Sequence, residues 1–170
     1  DSGWGIVEGS KVLREYQFTD GKIEVGGRRG KSEIADYILV YKNRKLAVIE
    51  AKKQGSSPTE GVQQAKAYAE KLQIEYTYST KGVDIYQISM KTGEEKYISA
   101  FPTPDQLWNH SYSDHDDWKE KLASVPFEGT YGKRYYQEIA VNKAIDAIAD
   151  EEKRILLTLA TGTGKTAIAF

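Results

Sequence analysis

The chain has 170 residues, enough for one domain or for one domain and part of another. Apolar residues make up 39% and the twelve Tyr suit a sheet-rich core, whereas a formal net charge of −1 excludes a globally basic protein and confines any basic surface to local patches. There is no Cys, which excludes disulfides and Cys-based zinc sites and fits a reducing compartment.

No apolar run approaches membrane-spanning length and no signal peptide opens the chain, so a cytoplasmic location without a membrane partner is expected. The start at Asp1 without a Met leads us to expect a fragment. Val12–Phe18 and Lys22–Val25 read as short strands around the turn Thr19-Asp20-Gly21. The basic loop Gly26–Lys31 follows, with Arg28, Arg29 and Lys31 either touching a phosphate or simply solvated. Ile34–Lys53 then reads as a β-hairpin about the polar turn Lys42–Lys45. Pairing about Asn43/Arg44 brings Asp36 opposite Glu50 or Ala51, and Glu50 and Lys52, two apart, share a face.

Ser57-Pro58-Thr59-Glu60 is a capping box with Pro at the first helical position, so a helix is expected to run to about Leu72 with Val62, Ala65, Ala69 and Leu72 buried. Strands follow over Ile74–Thr80, Gly82–Met90 and Tyr97–Phe101. Pro102-Thr103-Pro104 stops the last one, and Asp105–Trp108 begins a short helix. The polar stretch from His110 to Gly132 reads as a connector; His110, Asp114, His115, Asp116 and Asp117 fit no single face and are expected to be solvated. Tyr136–Ala149 is a second amphipathic helix, with Ile139, the Lys143 stem, Ile145 and Ile148 toward the core. Arg154–Leu159 reads as a buried parallel strand running into Ala160–Thr166.

Asp36, Glu50 and Lys52 carry chemistry if they meet. Paired carboxylates hold Mg²⁺, which neutralises a scissile phosphate and acidifies the attacking water, and a nearby Lys orients that water; the Ala51 carbonyl is a further candidate ligand. An ion pair guarding a sheet edge is the plain alternative. Asp36 followed by Glu50-Ala51-Lys52 resembles the catalytic motif of the PD-(D/E)xK nucleases. Gln64 and Tyr68, one helical turn apart, look like the QxxxY element of restriction subunits of type I restriction–modification enzymes. Glu50 to Gln64 is the same spacing as Asp36 to Glu50, and both suit that family. Tyr78–Gly82 and Phe101–Pro104 look familiar too, although Lys81 stands where the family more often has an amide. The resemblance implies a supporting or DNA-positioning role for Gln64 and Tyr68. It also implies an N-terminal helix bearing a further acidic residue, expected upstream of Asp1.

At the far end, Ala160–Thr166 (ATGTGKT) after an apolar run is a phosphate loop. Backbone N–H groups around Gly162 and Gly164 cradle phosphates, Lys165 reaches the β/γ-phosphates and Thr166 binds Mg²⁺. Leu159 replaces the usual first glycine, a variation found in superfamily 2 helicases, which the loop resembles. That resemblance makes Gln137 the candidate adenine reader.

Together these resemblances imply an α/β protein: a restriction-endonuclease-like mixed β-sheet flanked by helices over residues 1–108, a linker over 109–131, and a truncated RecA-like segment over 132–170. The implied function is a Mg²⁺-dependent endonuclease domain that cuts unmodified double-stranded DNA, ahead of an ATP-driven translocase. Specificity and modification subunits would be its partners. No ATP hydrolysis is expected from this stretch alone. A helicase–nuclease fusion of repair or defence, and a DNA-binding or docking module that does not cut, are the alternatives.

Overall fold

A computed structural model describes residues 2–19, 30–52, 58–82, 84–112, 120–122, 124–126 and 134–169. The strand expected over Lys22–Val25, Arg28 and Arg29, Lys53, Ser57 and the 114–117 cluster lie outside them.

The β-branched and aromatic runs form one six-stranded sheet in chain order: β1 (Ser10–Thr19), β2 (Glu33–Tyr41), β3 (Arg44–Ala51), β4 (Tyr76–Thr80), β5 (Ile85–Ser89) and β6 (Glu95–Ile98). All neighbours are antiparallel except β3 and β4. That parallel pair needs a crossover, which α1 (Pro58–Leu72) supplies. Ala65, Ala69 and Leu72 of α1 are buried and Val62 is half-buried, close to the expected stripe. Gln73 ends the helix at φ 56, and the Ile74 N–H donates back to Ala69 O at 2.9 Å. β6 begins at Glu95 rather than Tyr97, and charged residues mark this exposed edge.

Side chains alternate across the central strands. Ile38, Val40 and Val48 pack with Ala69 and Leu72 on the α1 face. Leu39, Tyr41, Ala47 and Ile49 pack on the other face with Leu107 and Trp108 of α2 (Pro104–Tyr112). α2 starts earlier than expected and runs beyond Trp108. Thr103 and Gln106 form a reciprocal capping box, with backbone N–H to side-chain oxygen distances of 2.9 and 3.2 Å, so the Thr103-Pro104 pair is a helix start as much as a strand stop.

The β2–β3 turn is shorter than the sequence suggested. Lys42 and Asn43 alone form it, at φ 47 and 63, and Tyr41 pairs with Arg44. A bulge then follows: Val40 pairs with Lys45 but Leu39 pairs with Ala47, so Leu46 is an extra residue in β3. The tip is held from outside the sheet. Lys42 pairs with Glu120 and Asn43 Nδ2 donates to Ser124 O at 2.9 Å, placing part of the expected connector on the hairpin.

Tyr135–Ala149 forms α3 and Lys165–Ala169 forms α4. Arg44, almost fully buried, pairs with Asp146 at 2.9 Å, and Lys45 pairs with Glu138. The core side of α3 is therefore not the expected one: Gln137, Ala140 and Ala149 are buried, while Lys143 is exposed and Ile148 is 52% exposed. The strand expected over Ile155–Leu159 does not form, and Leu156 is 89% exposed. An apolar run becomes a strand only with a ladder partner, and no described strand lies beside this one.

Deleting Leu46 removes the bulge and throws the residues after it to the opposite face, so loss of the cooperative fold is expected. Leu46→Ala keeps the residue count and is expected to cost about 2–4 kcal/mol while leaving a cooperative transition. Urea denaturation of both variants checks the contrast.

Candidate active site

The bulge decides which side chains meet. With Leu46 accommodated, Tyr37 pairs with Ile49, which brings Asp36 level with Glu50 at the open end of the hairpin, near enough for the Asp36 charge to act on Glu50. The Ala51 N–H donates to Asp36 Oδ2 at 2.8 Å. The Ala51 N–H thus fixes Asp36, while its carbonyl is the further metal ligand expected from the sequence. Ala51 lies at the exposed end of β3.

Glu50 is fully buried. Lys52 Nζ donates to its Oε2 at 3.4 Å, but Oε1 is buried without a hydrogen-bond partner among the described residues. Burial pushes the Glu50 carboxyl up to about 7, the Asp36 charge adds to that rise, and Lys52 works against it. Two adjacent carboxylates, one of them buried with an unsatisfied oxygen, are a donor set that a divalent cation would satisfy. No group of three or more Asp, Glu, His or Cys suited to a metal occurs among the described residues, so a cation held at this pair would need water or substrate oxygens to complete its shell.

Lys52 is fixed from the helix side. Its Nζ donates to Gln64 Oε1 at 2.8 Å, and Gln64 Nε2 donates to the Tyr68 hydroxyl at 3.1 Å. Both ends of the amide are committed, which orients its carbonyl toward the ammonium. All five residues singled out in the sequence, Asp36, Glu50, Lys52, Gln64 and Tyr68, thus gather in one cluster. The sequence did not reveal Phe18, whose ring meets Tyr68 edge-on at 5.1 Å and Tyr135 at 6.0 Å. An apolar residue at a strand end carries no signal of that kind. Lys31 is exposed.

At the other end, Gly162 and Gly164 both take φ 80, a conformation that favours glycine, in the turn before α4. Lys165 Nζ donates to Leu159 O at 3.0 Å, and Thr166 is exposed. Gln137 Nε2 donates to Thr163 O at 2.9 Å, which places the expected adenine reader against the loop.

Comparison with known proteins agrees along the chain. Residues 23–104 match the family described as the second domain of the type I restriction enzyme EcoKI endonuclease subunit, and residues 130–170 match the type III restriction enzyme res subunit family. The chain is 34% identical over 189 aligned positions to the type I restriction enzyme EcoAI endonuclease subunit of Escherichia coli, an alignment covering all of this chain and 23% of that protein. With the EcoKI endonuclease subunit of Escherichia coli strain K12 it is 32% identical over 114 positions, covering 59% of this chain and 10% of the relative. A solved fragment described as an HsdR subunit of a type I restriction enzyme from Vibrio vulnificus YJ016 superposes with a TM-score of 0.89 at 40% identity, over 99% of this chain and 33% of that one.

The Glu50 carboxyl yields a stability prediction. Its folded value of about 7 lies above the ordinary 4.5, so between those pH values the folded state keeps a proton that the unfolded chain has released. Stability without divalent ions should therefore fall as pH rises across that window and stay low above it. Glu50→Gln is expected to raise stability at pH 8 by roughly 1–3 kcal/mol, with little gain near pH 4.5. Urea titrations at both pH values, in chelator, check this.

Proposed function

The chain belongs to the family of type I restriction endonuclease subunits, and from that premise we propose that its sheet is the Mg²⁺-dependent endonuclease domain of a DNA-translocating restriction subunit. The chain spans about a quarter of the EcoAI relative, so the proposed activity is that of the longer protein. The fold is read as restriction-endonuclease-like. The substrate is unmodified double-stranded DNA, and the partners are the specificity and modification subunits of a cytoplasmic complex.

The observation that carries this reading is the Asp36–Glu50 pair with its unsatisfied buried oxygen and adjoining Lys52. Asp36 and Glu50 would hold Mg²⁺, which when bound supplies charge neutralisation at the scissile phosphate and a more acidic attacking water. Asp36 is oriented for this by the Ala51 N–H. Lys52, braced by Gln64, presents an ammonium of fixed position that orients the water and offsets negative charge building on the phosphate. The Tyr68 hydroxyl accepts from Gln64, which leaves its own proton to donate to a phosphate oxygen of the DNA.

Residues 132–170 are read as the opening of a RecA-like ATP motor. Gly162 and Gly164 shape the loop, Lys165 reaches the β/γ-phosphates, Thr166 is the Mg²⁺ ligand and Gln137 reads adenine. In the structure Lys165 is engaged with Leu159 O, a contact that it would give up to phosphate. ATP hydrolysis is proposed for the full-length subunit.

Asp36→Ala and Lys52→Ala, each in the full-length subunit assembled with its partners, are expected to lower cleavage of unmodified DNA by at least about a hundredfold. DNA-stimulated ATP hydrolysis should persist in both. Gel assays of plasmid linearisation beside phosphate release decide it, and normal cleavage by either variant rejects the assignment.

A further inference from the structure

Gly61 lies in the first turn of α1, one turn before Gln64. A glycine inside a helix is less favourable than alanine. Its φ is not in the left-handed region, so conformation does not explain the choice. Space does. A Cβ added at Gly61 would fall 2.3 Å from Ser79 Oγ, 3.0 Å from Lys52 Cγ and 3.4 Å from Lys52 Cε. Ser79 is itself buried and pairs with Glu50 across β3 and β4. The methylenes of Lys52 thus run along a bare stretch of α1, with Gly61 beneath the stem and Gln64 at the ammonium.

We infer that Gly61 is the positioning residue for Lys52: its missing side chain lets the lysine stem lie against α1, which sets Nζ between Gln64 Oε1 and Glu50 Oε2. Alanine at this position has two neighbours to displace. The buried Ser79 hydroxyl has little room to turn, so the lysine stem is pushed off the helix and Nζ moves away from both acceptors. The 2.8 Å contact with Gln64 and the 3.4 Å contact with Glu50 then fail together. The carboxylates keep their positions although Glu50 loses its contact with Lys52, because Asp36 is tied to the Ala51 N–H and Glu50 is held in the strand interior. The inference rests on the catalytic role proposed for Lys52 and adds the residue that places it.

The test uses the full-length subunit in its assembled complex, with single-turnover cleavage of plasmid DNA and a Mn²⁺ binding titration. Gly61→Ala is expected to slow cleavage on the order of 10- to 100-fold, the scale of a misplacement of about 1 Å. Mn²⁺ affinity and DNA-stimulated ATP hydrolysis should stay at the parental values. Adding Ser79→Gly removes the closest clash, and the double variant should recover a substantial part of the lost rate relative to Gly61→Ala. Parental cleavage by Gly61→Ala, loss of Mn²⁺ binding along with cleavage, or a double variant as slow as Gly61→Ala would each overturn the inference. Lys52→Ala separates the two levels. If it is inactive while Gly61→Ala is fully active, only the placement role is wrong; if Lys52→Ala cleaves normally, the proposed function falls and the placement role with it.

Discussion

One extra residue in β3 sets the site. At the hairpin tip Tyr41 pairs with Arg44 and Val40 with Lys45; carried on unchanged, that register would set Asp36 against Ile49. Ile49 belongs to the α2 face and Glu50 to the α1 face, so the two carboxylates would then lie on opposite sides of the sheet. The bulge at Leu46 advances β3 by one residue, pairs Tyr37 with Ile49 and brings Asp36 level with Glu50, whose strand neighbour Val48 faces α1. The cross-over helix α1 covers that side, because β3 and β4 run parallel. Local backbone irregularity, crossover topology and the placement of Gln64 are therefore linked steps of one arrangement.

The arrangement is electrostatically expensive. Glu50 is buried beside a second carboxylate, and among the described residues its cationic neighbour, 3.4 Å away, is shared with Gln64. A buried charge is tolerated when its partners satisfy it completely, and here one oxygen is left over. The sheet absorbs that cost through the fully buried Ile38, Ala47 and Val48 around the same strands. A proton relieves it up to about neutral pH, and the divalent cation proposed for this site would relieve it above.

Much of this was legible in the sequence, for identifiable reasons. α1 was readable from Pro58 to Leu72 because its start carries a cap signal and its stripe has a clear 3.6-residue period. The site residues stood out because Asp36, Glu50 and Lys52 interrupt runs that are otherwise apolar. The two-residue turn was misplaced because Lys42-Asn43 lacks the glycine that marks such turns, although both residues take positive φ. The bulge left no trace, since pairing register is a property of two strands together. Thr103-Pro104 was read as a stop because proline ends strands and begins helices alike. Residues 155–159 show the opposite limit: a strand-like composition cannot report whether a neighbouring strand is there to pair with it.

Helix α3 joins the two ends of the chain through contacts that no local pattern announces. Gln137 reaches the glycine turn before α4 at Thr163, while two residues earlier Tyr135 packs on Phe18, which in turn packs on Tyr68. On the far side, Arg44 and Lys45 bind Asp146 and Glu138 of the same helix. The hairpin is thus clamped to α3 near its tip and presents its carboxylates at its open end. Clamping at the tip suits a site whose chemistry depends on register, because a slip of one residue there would reach Asp36 undiminished. The ion pairs sit between the two-residue turn and the bulge, where they oppose a slip at the tip.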